Sequence, residues 1–104
     1  MMSLRNKVIF VAGGSTGIGK ATSRILCESG AKVVIGDINE KEGQIFVKQL
    51  SSTGLEIEFY PVDVTDFKNI SSCINNIYDK HGAIDGAFNN AGIEGPTAKA
   101  SDYK

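Results

Sequence analysis

Short unbroken apolar runs alternate along this chain with longer stretches in which apolar residues return every three or four positions. Val8-Ile9-Phe10-Val11 and Val33-Val34-Ile35 contain no polar residue, as strands covered on both faces require. Strands are predicted over residues 7–12, 32–37, 56–62 and 84–89. The third alternates as Glu56-Ile57-Glu58-Phe59-Tyr60 and carries Pro61, which suits a sheet edge and a strand end. Between the strands, Ile18, Thr22, Ile25 and Ser29 trace one face of a first helix closed by Gly30. Ile38, Ile45, Phe46, Gln49 and Leu50 mark a second, ending near Gly54. Phe67, Ile70, Ile74 and Ile77 give the cleanest helical period, with Thr65 or Asp66 as N-cap and Gly82 as terminator. Alternating strands and helices with right-handed crossovers predict an α/β fold, a parallel sheet of about four strands in the order 3-2-1-4 with helices on both faces.

Composition narrows the function classes without choosing among them. The 104 residues support one domain, burying about 65% of the surface of the unfolded chain. With 41% hydrophobic residues, 22% charged residues and a formal net charge of -1, there is no electrostatic footprint for nucleic acid or an anionic membrane. The apolar stretch from Val8 to Ala12 is too short for a signal peptide core or a membrane span, so a cytoplasmic protein is expected. Cys27 and Cys73 both fall in helical patterns without metal-ligating neighbours. They read as reduced, buried thiols, and no metal site is expected.

The candidate chemistry starts after the first strand, where Ala12-Gly13-Gly14-Ser15-Thr16-Gly17-Ile18-Gly19 leads directly into the first helix. Such a turn brings backbone N–H groups and the positive end of a helix dipole close to a phosphate, because no Cβ intervenes. Glycines at a strand-to-helix turn also serve tight turns and close packing. A second nucleotide-binding reading comes from Gly14, Gly19 and Lys20, which stand at the spacing of the G-x-x-x-x-G-K phosphate loop. It fails at the next position, where the Ser or Thr that would hold Mg²⁺ is Ala21.

Gly13, Gly17 and Gly19 reproduce the T-G-x-x-x-G-x-G pattern of short-chain dehydrogenases/reductases, with Ala12 in place of the common Thr. Asp37 ends the second strand, Asp63-Val64 follows the third, and Asn89-Asn90-Ala91-Gly92 follows the fourth. In order and spacing these motifs resemble that family over essentially the whole chain. The resemblance implies a Rossmann-type NAD(P)-binding unit over residues 1–92, with residues 93–104 as loop. It further implies that Gly13 makes the turn, Gly17 admits the pyrophosphate and Gly19 lets the helix pack on the sheet, while Ser15, Thr16 and Ile18 offer hydroxyls and backbone donors. Asp37 would accept hydrogen bonds from the adenosine ribose, or else cap the second helix, a task open to Asn39. Asp63 would meet the adenine or start the third helix, with Val64 as an apolar wall. Asn89 and Asn90, with Ala91 and Gly92, would brace the sheet end, approach the ribose, or both. Asp37 would repel a 2′-phosphate, and neither Thr16 nor Ile38 supplies the basic residue of NADP-using relatives, so NAD is expected over NADP. His81 is expected to end its helix without a catalytic role, and Lys20 to point to solvent.

The family's catalytic set is a Ser, a Tyr-x-x-x-Lys pair and usually an Asn, all after the asparagine motif. Tyr103-Lys104 is adjacent rather than spaced, and Ser101 has no partner base, so no catalytic residue is assigned. The expectation is the cofactor-binding portion of an oxidoreductase, meeting a small-molecule substrate only if a C-terminal half accompanies it. A stand-alone nucleotide-binding or regulatory module and a non-functional remnant are the alternatives. Without a fifth strand, the fourth would leave an apolar edge inviting self-association.

Overall fold

The computed structural model describes residues 3–13, 15 and 17–90. Of the candidate residues, Thr16, Ala91 and Gly92 lie outside that range, as does the expected loop over residues 93–104. The elements run β1 (Val8–Ala12), α1 (Gly17–Glu28), β2 (Lys32–Asp37), α2 (Glu40–Ser51), β3 (Ile57–Pro61), α3 (Phe67–His81) and β4 (Gly86–Asn89). They form one sheet in the order β3-β2-β1-β4, and every pairing is parallel.

Period-two alternation in the central strands divides the interior into two layers. Val8, Phe10 and Ala12 of β1 join Val34, Val62 and Ala87 beneath α3, which contributes Ile70, Cys73 and Ile77. Ile9 and Val11 join Val33 and Ile35 on the opposite face, under Cys27 of α1 and Phe46 and Leu50 of α2. All residues of β1 are buried, whereas β3 is only half-buried until exposed Pro61, in keeping with its edge position.

α1 turns a different face inward from the one its large aliphatic residues suggest, whereas α2 and α3 bury Phe46, Leu50, Ile70 and Ile77 as the pattern predicts. In α1 the buried positions are Gly19, Ser23 and Cys27, while Ile18 is 75% and Ile25 63% exposed. The true face is displaced by one residue, about 100°, because small side chains let α1 lie close to the strands. In α2 the buried positions are Gly43, Phe46 and Leu50; Ile45 and Gln49 are exposed, and exposed Ile38 precedes the helix altogether. A Cβ on Gly43 would run into the Phe59 ring of β3, so this glycine sets the approach of helix to edge strand. In α3, Ile70, Cys73 and Ile77 are buried while Phe67 is 81% exposed. Asp66 is its N-cap, accepting the Asn69 N–H at 3.2 Å, and Gly82 ends it in a left-handed conformation.

β4 begins at Gly86, two residues later than the apolar pattern suggests. The Asp85 N–H donates to the Val8 carbonyl at 2.7 Å, and its Oδ2 accepts the Val8 N–H at 2.8 Å. A side chain thus replaces the first ladder bond. Among the described residues no helix is long and apolar enough to cross a membrane. Cys27 and Cys73 are free and buried, and burial pushes both thiols up to about 11, in keeping with inert thiols. No His/Cys/Asp/Glu group suited to a metal ion occurs among the described residues.

Candidate nucleotide site

The carboxyl ends of β1, β2 and β4 bring the sequence motifs to one rim of the sheet. After β1 the chain crosses to the face that carries α1, whereas β4 is reached from α3 on the other face. The crevice between β1 and β4 is therefore the topological switch point of a doubly wound sheet. Gly13 turns the chain out of β1 with φ 77° and donates its N–H to the Gly36 carbonyl at 2.7 Å. A residue with a Cβ would be strained in that turn. Gly17, the first residue of α1, has φ 32°, and a Cβ built on it would meet no atom of the described residues within 4 Å. α1 has no acidic residue in its first turn, whereas α2 has Glu40 and Glu42. The positive end of the α1 dipole is thus left uncompensated by acidic side chains of its own.

Asp37 lies at the end of β2 and is 8% exposed. Its Oδ2 accepts the Ser15 hydroxyl at 2.5 Å and the Ser15 N–H at 3.3 Å, and its Oδ1 accepts the Asn39 N–H at 3.1 Å. Burial alone raises the carboxyl's pKa, but the Ser15 hydroxyl and the N–H groups of Asn39, Ser15 and Ile38 outweigh it and hold the group below its ordinary value. The capping task left open for Asn39 is not performed: its side chain makes no cap hydrogen bond, and Asp37 takes the Asn39 amide instead.

Asp63 shapes the start of α3. Its Oδ1 accepts the Thr65 N–H at 3.0 Å and the Thr65 hydroxyl at 2.6 Å, which hold its pKa below the ordinary value. Its N–H donates to Asn69 Oδ1 at 2.6 Å, and its carbonyl accepts the Asp66 N–H. Val64 is half-buried against the α3 layer. The Asn90 N–H donates to the Ala12 carbonyl at 2.9 Å, tying the end of β4 to β1. Its side-chain Nδ2 is shut off from solvent without a hydrogen-bond partner among the described residues. Asn89 closes β4 in register with Ala12. Ile18 stands exposed in the first turn of α1, and Ile38 stands exposed just after Asp37.

Two residues behave differently from their sequence reading. Lys20 leans across to α2, 3.7 Å from Glu42 Oε1 and 5.7 Å from the Phe46 ring centroid. It does not simply point to solvent. His81 ends α3 as expected, but its Nε2 lies 3.0 Å from Glu58 Oε1, while Lys80 Nζ holds Glu58 Oε2 at 3.1 Å. This cluster clamps α3 to the edge strand, away from the rim that carries Asp37. Asn69, Asp85 and Glu58 were not singled out from the sequence for these contacts. Only the Asp66-x-x-Asn69 spacing, close to a capping-box pattern, carried a usable signal.

The family profile described as short chain dehydrogenase matches residues 7–104. The chain belongs to that family. An uncharacterized oxidoreductase of Bacillus subtilis is 36% identical over 103 residues, which is 99% of this chain and 38% of that protein. (+)-Borneol dehydrogenase 1 of Salvia officinalis is 41% identical over 100 residues, 95% of this chain and 37% of the plant protein. Among solved structures, NAD+-bound xylitol dehydrogenase superposes with a TM-score of 0.81 at 31% identity, over 97% of this chain and 39% of that one. A short chain dehydrogenase from Mycobacterium smegmatis gives 0.81 at 34% identity, over 93% and 42%. The chain thus spans about two fifths of the length of the relatives it matches.

Proposed function

We propose that this chain is the NAD(H)-binding portion of a cytoplasmic oxidoreductase, and that the catalytic groups acting on a small-molecule substrate belong to a C-terminal half. The observation that carries the reading is the anchored, ionised carboxylate of Asp37 beside the turn made by Gly13 and Gly17. A carboxylate there accepts hydrogen bonds from ribose hydroxyls, each charge-assisted bond contributing about 1.5–3 kcal/mol, and repels a 2′-phosphate. The residues present fit a dinucleotide: a helix N-terminus with no acidic residue in its own first turn for the pyrophosphate, no described atom over Gly17, and at the same rim the Asn90 Nδ2, which has no partner among the described residues. Asp63 and Val64 would flank the adenine, with Thr16, Ile18 and Gly19 on the pyrophosphate side, Ser15 engaged with Asp37 rather than with the phosphates, and Ile38, Asn89, Asn90, Ala91 and Gly92 around the ribose and sheet end. When bound, NAD(H) supplies the hydride donor or acceptor. The chain's own share is to bind and orient it, since its 104 residues contain no Tyr-x-x-x-Lys.

Fluorescence titration of the chain with NADH and NADPH tests the proposal. NADH is expected to bind more tightly, with the difference lost in Asp37→Asn. Equal affinities, or tighter NADPH binding, would overturn the assignment of Asp37 to the ribose.

A further inference from the structure

Asp37 reaches the candidate site already bound to the glycine loop, and the residue that binds it is Ser15. Ser15 is fully buried, and both of its donors, N–H and Oγ–H, point at the same carboxylate oxygen. The other oxygen is held from the opposite side of the sequence by the Asn39 N–H. Each oxygen is therefore fastened by a different segment, which restrains the carboxylate from turning about its Cβ–Cγ bond. Gly13, two residues before Ser15, is itself tied to Gly36, the neighbour of Asp37. Two adjacent links thus join the loop to the end of β2.

We propose that Ser15 is the positioning residue for Asp37, fixing the carboxylate to the glycine loop so that phosphate cradle and ribose acid act as one recognition unit. The inference rests on the reading of this rim as an NAD(H) site, but it assigns the discrimination between NAD and NADP to a pair of residues rather than to the acid alone. The serine hydroxyl is a donor to a charged acceptor in a buried setting, where such bonds are strongest. An alanine there leaves Asp37 without its closest donor and free to reorient.

Three measurements on the 104-residue chain decide it. In the absence of nucleotide, carbon-detected NMR titration of the Asp37 carboxyl is expected to show a higher midpoint in Ser15→Ala than in wild type. An unmoved midpoint overturns the proposal whatever the cofactor does. With cofactor, Ser15→Ala is expected to weaken NADH roughly tenfold while leaving NADPH within about twofold, so the selectivity ratio falls. In an Asp37→Asn background the same substitution should change the ratio by less than about twofold, because coupled residues are not additive. Additive effects would make Ser15 an independent cofactor contact and overturn the proposal. Wild type failing to prefer NADH would sink the cofactor reading, while the NMR titration would still judge the Ser15–Asp37 link. Should Ser15→Ala fail to fold, Ser15→Cys, a weak donor of similar size, should give intermediate shifts in each measurement.

Discussion

Val8 and Asp85 are joined at both backbone polar groups of Val8: the Val8 N–H donates to Asp85 Oδ2 at 2.8 Å while the Val8 carbonyl accepts the Asp85 N–H at 2.7 Å. The carboxylate stands where a strand residue's carbonyl would otherwise stand, and it satisfies the first amide of a fully buried strand. Asp85→Ala is expected to strand that amide and to cost about 1–2 kcal/mol, read as a lower urea midpoint at unchanged slope. An unchanged midpoint would show that water replaces the carboxylate without loss.

Phe46 and Phe67 should behave oppositely. Phe46, on the inward face of α2, is 1% exposed, whereas Phe67 is 81% exposed at the first position of α3. Phe46→Ala is expected to cost about 3–5 kcal/mol, enough to unfold a domain of modest stability. Phe67→Ala should stay within about 0.5 kcal/mol of wild type. Equal losses in the two melts would contradict the burial pattern.

Acid should destabilise the fold through two anchored carboxylates. Burial opposes ionisation at Asp37 and Glu58, but Ser15 with nearby amides at the first, and His81 with Lys80 at the second, outweigh it and lower both groups from ordinary values of 3.8 and 4.5. The folded chain thus releases these protons more readily than the unfolded chain. The stabilisation is complete above the ordinary values and is lost as the pH falls through them and the lower folded values. Urea midpoints are expected to fall between about pH 5 and pH 3, with a shallower fall in Glu58→Gln. An identical acid limb in that variant would remove Glu58 from the account.

The architecture was legible in the sequence because strands and turns announce themselves locally. The continuous apolar runs gave β1 and β2, and the parallel order followed from helical connections that can only return one way. The helix faces were only partly legible: Phe46, Leu50, Ile70 and Ile77 are buried as their spacing predicts. Ile18, Ile25, Ile38 and Phe67 look like core by hydrophobicity, yet each is exposed, because Gly19, Ser23 and Gly43 decide where a helix can come close to the sheet. At the site, the positions of Gly13, Asp37 and Asp63 were readable from spacing, but their partners were not. The bond from Ser15 to Asp37 spans 22 positions, and only the parallel pairing of β1 with β2 brings those residues together.

The exposed edge of the sheet should be sticky. β4 has β1 on one side and no strand on the other among the described residues; Gly86–Asn89 carries no charged side chain, and Phe88 is 41% exposed. Such an edge templates pairing with a second copy. Sedimentation of the 104-residue chain is expected to show mass rising with concentration, and a constant monomer mass with a cooperative melt would count against it.

Turnover is expected to be absent from the 104-residue chain even where NADH binds. Positioning alone can lower a barrier by about 7–11 kcal/mol, and an acid-base residue adds to that. Nicotinamide absorbance should stay flat with a panel of alcohols and ketones at high protein concentration. Activity that survives purification and disappears in Asp37→Arg would point to an unrecognised base, with Tyr103 the first to replace.

The chain's two cysteines lie in different layers, Cys27 of α1 in the one shared with α2 and Cys73 in the one formed by α3. The sheet stands between them as a partition. A thiol reagent in solution can therefore reach each only when its own layer opens, so the labelling rates of Cys27 and Cys73 act as two separate clocks within one molecule. Equal rates would mean that the layers part together as a single cooperative unit. A faster Cys73 would mean that the side held by one helix breathes while the side held by two stays shut.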